Sequence, residues 1–348
     1  ASSAASDVYK RQLTMLRGTD DYISGQEICD RLGVSRTAVW KVINQLKEEG
    51  YVIEAVNNKG YRITEYPDIL TQSELESAIN IESANGEGTL AKKLVCRDIV
   101  DSTNNVARKL AEDMACHGTL VVAEQQTGGK GRRGRHWESP AGTGIWMTYV
   151  LRPDISPDRA SMLTLVAALA VADGIKEQLH AAGCDCEFGI KWPNDIVLNG
   201  RKIVGILTEM SATPDSVNYV VVGIGINVNT TEFDDSIKAT ASSILVQTGL
   251  HIQRSRIIAS VSRRFEEYYN IFIKTANLEG LIEQYNSALI NAGREVRLIS
   301  SDNGTEHEET GVARGIDMNG ELIVRLDDGT MKNVIAGEVS VRGLYGYV

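Results

Sequence analysis

Val39, Val42, Ile43 and Leu46 fall at spacings of three and four, the stripe of a helix with one buried face. Around them, from about Lys10 to Thr64, the pattern reads helix, helix, helix and two short strands. Ser24 caps a helix over about Gly25 to Leu32, Gly33 makes the turn, and Ser35 caps a helix that runs to about Glu49 before Gly50. This is a helix-turn-helix grammar. The face opposite the stripe presents Arg36, Thr37, Trp40, Lys41, Asn44 and Gln45, types that meet phosphates and base edges in a major groove. Tyr51 to Ala55 and Tyr61 to Thr64 pair around Asn57-Asn58-Lys59-Gly60, which makes a wing with a basic tip. Ser35, Arg36, Thr37, Trp40, Lys41 and Lys59 are therefore the candidate DNA contacts. Nine Lys or Arg against eight Asp or Glu between residues 8 and 65 keep a protein-interaction module as the alternative, and DNA binding would call for a dimer. Ala1 to Asp7 read as a fused linker outside the fold, and Val8 to Arg11 as its border.

Further along, Thr71-x-x-Glu74 reads as a capping box opening a helix to about Ile79, followed by a loop over Ser83 to Gly88. Leu94 to Arg97 is a strand, and Ser102 caps a helix from Thr103 to about Met114. Ala123 to Thr127 is a strand end and Gly144 to Leu151 a buried strand. Ser161 to about Leu179, opened by a Ser156 or Asp158 cap, is a buried helix. Asn199-Gly200 is a hairpin turn that pairs Ile196 to Leu198 with Ile203 to Leu207. Val220 to Val228 is a central strand whose glycines admit close approach by a backbone or ligand. Arg263 to Lys274 and Leu278 to Ala292 are helices that pack on the sheet. Short strands at Val296 to Ile299, Thr310 to Ile316, Glu321 to Arg325 and Lys332 to Ile335 then spell a small SH3-like β-barrel.

Composition narrows this picture. The 348 residues, 43% hydrophobic and 24% charged, suit a soluble protein of two or three domains. A net charge of -10 excludes a general nucleic-acid coat, so any DNA contact is local. Five scattered cysteines without metal spacing are expected to be buried free thiols in a reducing cytoplasm. The longest apolar run, around Met162 to Ala172, is too short for a bilayer, and no membrane association is expected.

The chemistry concentrates in Gly128-Gly129-Lys130-Gly131-Arg132-Arg133-Gly134-Arg135-His136-Trp137, where four Gly and four Lys or Arg suit a polyanion such as a nucleotide triphosphate. A dinucleotide fingerprint fails because Glu138 to Gly142 cannot start a helix promptly, and a Walker loop fails because Gly131 follows Lys130. A solvated basic loop is the plain alternative. Its pinning between two strands favours a lid over phosphate. Lys191-Trp192-Pro193-Asn194-Asp195 and Lys202 add polar groups where a merely structural hairpin has no use for them.

The ordered set of Asp101-Ser102-Thr103-Asn104, Gln126, the Gly129 to Trp137 loop, Lys191 to Asp195, Lys202 and Gly223-Ile224-Gly225-Ile226-Asn227 resembles the biotin protein ligases. With the winged helix in front it resembles the bifunctional bacterial form that is also the biotin operon repressor. The resemblance implies an α+β chain: a winged helix-turn-helix over 8–66, a class II synthetase-like mixed sheet with helices over 67–292, and the SH3-like domain over 293–348. It implies that biotin and MgATP form biotinyl-5'-adenylate, which acylates a lysine of a carboxylase carrier domain, and that operator DNA and a ligand-promoted homodimer are partners. By the same resemblance Arg132, Lys202 and Asp195 are catalytic. Ser102, Thr103, Asn104, Gln126, Gly129, Gly131, Arg132 and Lys202 meet biotin. Arg132, Arg133, Arg135, Trp137, Lys191, Asn194, Asp195 and Asn227 meet ATP, and Asp195 meets Mg2+. Trp137 and Trp192 are candidate walls. Lys130 stands where the family commonly has Arg, and His136 where Lys or Arg is frequent. The adenine-covering loop falls over 229–243, with Phe233 or Ile237 as its lid. A lipoate or octanoate ligase and a biotin-binding regulator without turnover are the rivals.

Overall fold

The computed structural model describes residues 2–82, 88–302, 305–336 and 339–343, so that most of the Ser83 to Gly88 loop lies outside the described residues. Two compact units divide the chain, residues 1–88 with 253–259 and residues 89–252 with 260–348.

The first unit comprises α1 (Ser2–Arg17), α2 (Gly25–Leu32), α3 (Arg36–Glu48), β1 (Val52–Val56), β2 (Gly60–Glu65) and α4 (Gln72–Glu82). Ser24 Oγ accepts the Glu27 N–H at 3.0 Å and Ser35 Oγ accepts the Ala38 N–H at 3.2 Å. Gly33 closes α2 with φ of 67°, a left-handed conformation that glycine adopts without Cβ strain. The α3 stripe packs with Leu13, Leu16 and Ile28 into one core. Where the sequence offered no element before Lys10, α1 starts at Ser2, and the border residues Val8 and Tyr9 pack on that core. Small polar residues do not exclude a helix when later turns bury an apolar face. The capping box is also corrected. Thr71 Oγ1 accepts the Glu74 N–H at 3.3 Å, but the Glu74 side chain turns inward, fully buried, to Arg17, the Tyr51 hydroxyl and Ser255. A buried carboxylate needs a cation and donors, and here they come from three other segments.

The second unit contains β3 (Leu94–Val100), α5 (Thr103–Glu112), β4 (Thr119–Gln126), β5 (Gly144–Leu151), α6 (Pro157–Ala160), α7 (Leu163–Ala181), β6 (Phe188–Lys191), β7 (Asp195–Leu198), β8 (Arg201–Ala212), β9 (Val217–Asn227), α8 (Ile244–Thr248), most of α9 (Arg254–Thr275) and α10 (Ile282–Ala288). Its seven-stranded sheet has the order β3-β4-β5-β9-β8-β7-β6. The β3–β4 pair is parallel and the other pairs antiparallel. Every residue of β5 is buried, as is most of α7. The hairpin turn Asn199-Gly200 has positive φ at both positions, and Ile196 pairs with Val204. β10 (Glu295–Asp302), β11 (Thr305–Ile316), β12 (Leu322–Leu326), β13 (Met331–Val334) and β14 (Val339–Gly343) form a second, five-stranded antiparallel sheet.

Several sequence expectations change. The buried helix does not run on from Ser156 or Asp158; α6 and α7 are separate, and Ser156 makes no side-chain cap bond. The helix expected over Leu278 to Ala292 shortens to a 3-10 turn and α10, because Leu289 turns extended and Ile290 N–H donates to Ile190 O at 2.9 Å, extending the sheet edge. β14 has no counterpart among the expected strands, which end at Ile335. Of the five free cysteines only Cys29 is buried, while Cys116 is exposed.

Candidate active site

A cavity of about 860 Å³ is bordered by the β3–α5 junction, the 130–138 loop, the β6–β7–β8 edge of the sheet, β9, part of 230–241 and β14. Its two ends differ in chemistry.

One end is neutral and densely hydrogen-bonded. Ser102 stands at the N-cap of α5 but makes no cap bond, which corrects its expected role, and it is buried with Thr103 and Asn104. Gln126 Oε1 accepts the Thr103 N–H at 2.8 Å and lies 3.1 Å from the Thr103 hydroxyl, while its amide donates to Ser139 Oγ at 2.8 Å. Gly129 is buried outside the cavity wall, and a Cβ there would lie 2.7 Å from Ser139 Oγ. The Asn104 amide is spent within the protein, on Leu207 O at 3.3 Å and Glu209 Oε2 at 2.7 Å.

The other end is cationic. Nine Lys or Arg side chains border the cavity against three carboxylates, the reverse of the whole chain's -10. Arg132 donates to Asn194 Oδ1 at 2.8 Å, and the Asn194 amide is held by Ile206 O at 3.0 Å. Burial lowers the Arg132 pKa, and Asp195 opposes that shift. Lys202 Nζ lies 2.6 Å from Asp195 Oδ1 and 5.2 Å from the Trp137 ring centre. Lys191, at the end of β6, is 7% exposed, and burial pushes its pKa down to about 8, although Asp195 pulls it up. Lys202, Arg342 and Arg135 add to the lowering. Burial is the main cause at both Lys191 and Arg132, and neighbouring cations add to it.

Between the ends lies Trp137. Cβ atoms on Gly205 and Gly225, paired across β8 and β9, would stand 2.7 Å from its indole, so these glycines make room for the ring. The Trp137 Nε1 is buried without a hydrogen-bond partner.

The structure thus gathers Ser102, Thr103, Asn104, Gln126, Gly131, Arg132, Arg133, Arg135, Trp137, Lys191, Asn194, Asp195, Lys202 and Asn227 around one space. Arg133 is exposed within a short 3-10 turn over Arg132–Gly134, with φ of 58°, and Arg135 is exposed just after it. Lys130 is exposed and donates to Asn105 Oδ1 at 2.9 Å, and His136 is exposed beside it. Asn227 donates to Ser242 O at 3.0 Å, which pins the 229–243 segment, where both Phe233 and Ile237 reach the cavity. Trp192 borders the cavity but is 2% exposed and donates to Gly320 O at 3.0 Å, so packing accounts for it. Ser35, Arg36, Thr37, Trp40 and Lys41 are exposed together on α3, with Lys59 exposed on the wing. Sequence reasoning missed Arg297 and Arg342, which reach the cavity from β10 and β14. No local motif marks them; only the pairing of β10 with β14 and their place at the cavity bring them there.

A neutral hydrogen-bonding end joined to a cationic end suits an acid-activating ligase, and the profile of the biotin/lipoate A/B protein ligase family matches residues 96–227. A helix-turn-helix domain profile matches residues 10–62, and the biotin protein ligase C-terminal domain matches residues 292–342. The chain belongs to the bifunctional ligase/repressor family. It is 42% identical over 315 residues to the bifunctional ligase/repressor BirA of Bacillus subtilis (strain 168), covering 90% of this chain and 92% of that protein. Identity to the bifunctional ligase/repressor BirA of Escherichia coli (strain K12) is 29% over 331 residues, covering 95% and 96%. The solved biotin protein ligase from Aquifex aeolicus in complex with biotin and ATP matches with a TM-score of 0.61 at 30% identity, over 72% of this chain and 99% of that one.

Proposed function

We propose that this chain joins biotin to ATP as biotinyl-5'-adenylate, passes the biotinyl group to a lysine of a carboxylase carrier domain, and represses transcription through its winged helix. The observation that carries the ligase reading is the single cavity whose neutral end suits a cyclic urea and whose cationic end suits a carboxylate and a triphosphate. In the first step a biotin carboxylate oxygen attacks the α-phosphorus and pyrophosphate leaves. Two anions meet, so acceleration rests on positioning and on cations already in place. Arg132 holds the α-phosphate and then retains the adenylate; Lys202 takes the carboxylate and the new anhydride linkage. Lys191, Arg133, Arg135 and Asn194 neutralise and orient the triphosphate, Asn227 holds the nucleotide side, and Trp137 walls the join. Ser102, Thr103, Gln126 and the Gly131 backbone meet the biotin head. In the second step the acceptor amine attacks the acyl carbon, AMP leaves, and Asp195 accepts the amine's proton.

Among the described residues no group of three His, Cys, Asp or Glu side chains is arranged to hold a metal. Asp195 would offer one carboxylate oxygen to a Mg2+ carried in with the triphosphate, and the ion would offset charge on the departing pyrophosphate.

We assign DNA contact to Ser35, Arg36, Thr37, Trp40, Lys41 and Lys59 within residues 8–66, catalysis to 67–292 and support of ATP and acceptor to 293–348. A homodimer promoted by the adenylate would place two winged helices on a symmetric operator in the cytoplasm. Among the described residues no helix is long and apolar enough to cross a membrane.

Native mass spectrometry after incubation with MgATP and biotin, lipoate or octanoate tests the ligase reading. A mass increment for biotinyl-AMP alone is expected; lipoyl- or octanoyl-AMP moves the chain to a sister activity, and biotin retained without AMP makes it a sensor. For the repressor reading, Lys41→Ala should reduce the salt slope of operator affinity by about one. An unchanged slope removes Lys41 from the interface.

A further inference from the structure

Thr148 lies in the middle of β5, is 0% exposed, and lies outside the cavity lining. Its hydroxyl is nevertheless 2.8 Å from Thr103 Oγ1 and 2.8 Å from Asn104 Oδ1. The partners in this cluster restrict where its protons can go. The Asn104 nitrogen must face Glu209 Oε2 and Leu207 O, because both are acceptors and a flipped amide would set oxygen against oxygen. Asn104 Oδ1 can only accept, so the single Thr148 proton has two acceptors in reach, Asn104 Oδ1 and Thr103 Oγ1. The Thr103 proton goes to Gln126 Oε1 at 3.1 Å while Thr148 donates to Thr103 at 2.8 Å, or turns to Thr148 Oγ1 when Thr148 donates to Asn104; in both arrangements it stays within the protein. Thr103 therefore turns lone pairs, not a proton, towards the cavity. Gly223 serves the same arrangement: a Cβ there would overlap Asn104 Oδ1.

We infer that half-buried Glu209, with buried Asn104 and Thr148, forms a relay of positioning residues that fixes Thr103 as an acceptor, so that the cavity selects an acid whose head group carries N–H donors. The inference rests on the ligase reading above and adds its specificity device. Asn104 is accordingly a positioning residue instead of a biotin contact, since its side chain is engaged on both ends. A cyclic urea supplies the N–H groups that such a pocket requires. A dithiolane or an alkyl chain supplies none and would leave the Thr103 oxygen dry and unpaired.

A thermodynamic cycle tests this, using the full-length protein, calorimetric binding of the free acid that the wild type retains, and steady-state KM values for that acid and for ATP. Thr148→Val, which keeps shape and removes the hydroxyl, should weaken the acid about ten-fold while leaving the KM for ATP within two-fold. Thr148→Ser, which restores the hydroxyl, should return to near the wild-type value. If Thr148 acts through Thr103, then in a Thr103→Val background the further change Thr148→Val should cost little, a clear departure from additivity. Glu209→Gln, whose amide could present either atom to Asn104, should weaken the acid by several-fold and narrow the preference for biotin over lipoate. Additive losses in the double variant, a Thr148→Ser no better than Thr148→Val, or an equal rise in the KM for ATP would overturn the relay. Should the wild type retain lipoate, the ligase reading for biotin fails and so does the claimed selection for N–H donors. Wild-type biotin retention with an additive cycle would sink the relay alone.

Discussion

The two ends of the cavity are built on opposite principles. At the neutral end nearly every polar atom already has a protein partner, from Ser139 through Gln126 and Thr103 to Thr148, Asn104 and Glu209. At the cationic end positive groups outnumber the carboxylates, and the pKa values of Lys191 and Arg132 are both lowered. The first end is organised before a ligand arrives, and its selectivity comes from hydrogen-bond direction. The second carries an electrostatic cost that an anion relieves, so its ligand completes it. Removing a group from the cationic end should chiefly slow chemistry or release the intermediate, whereas removing one from the neutral end should chiefly raise the KM for the acid.

The sharpest way to break that contrast is Lys202→Ala. Its ammonium is the group at the join of the two ends, so adenylate formation should fall on the order of 100-fold with acid binding less affected, as read by pyrophosphate release. Equal losses in both would make Lys202 a uniform binding group. Arg132→Gly comes next. The α-phosphate contact should go, raising the escape rate of the adenylate roughly 10- to 100-fold and labelling bystander lysines, visible by blotting for biotin. Retention like that of the wild type would detach the loop from this role.

A third variant, Gly225→Ala, probes the border itself. Its Cβ would stand 2.7 Å from Trp137 Nε1, so the indole must move; acid affinity should drop about ten-fold and tryptophan emission should shift. The smallest effect concerns pH. The Lys191 pKa is pushed down to about 8, below its ordinary 10.5, so the folded protein gives up this proton earlier than the unfolded chain. The sign follows directly: burial of the charged amine costs most below pH 8, and that cost is relieved as pH rises from about 8 towards 10.5. ATP binding should have the reverse dependence. Phosphate favours the ammonium, so binding near pH 8 should take up a fraction of a proton and weaken a few-fold as pH rises further. Calorimetry in buffers of differing ionisation heat measures the uptake, and Lys191→Arg should abolish it.

Much of this was legible in order along the chain. Apolar spacing and Ser caps marked α2 and α3, Asn199-Gly200 marked the β7–β8 hairpin, and the Gly-Lys-Arg run marked the cationic loop that borders the cavity, because each signal is local and acts within a few residues. Capping at Thr71 was half legible, since Glu74 obeyed a longer-range demand for a buried partner.

The sequence by itself determined the kinds of element, the cationic and glycine-rich character of the ligand loop, and the family. Tertiary structure alone decided which side chains meet. Arg342 reaches the cavity only because β14 of the five-stranded sheet borders the same space as β6 to β9, and Thr148 meets Asn104 only because α5 packs on β5. A propensity or a turn is an energy of neighbouring residues, while a hydrogen bond between residues 44 apart, such as Thr148 to Asn104, exists only once the sheet has brought them together and excluded water.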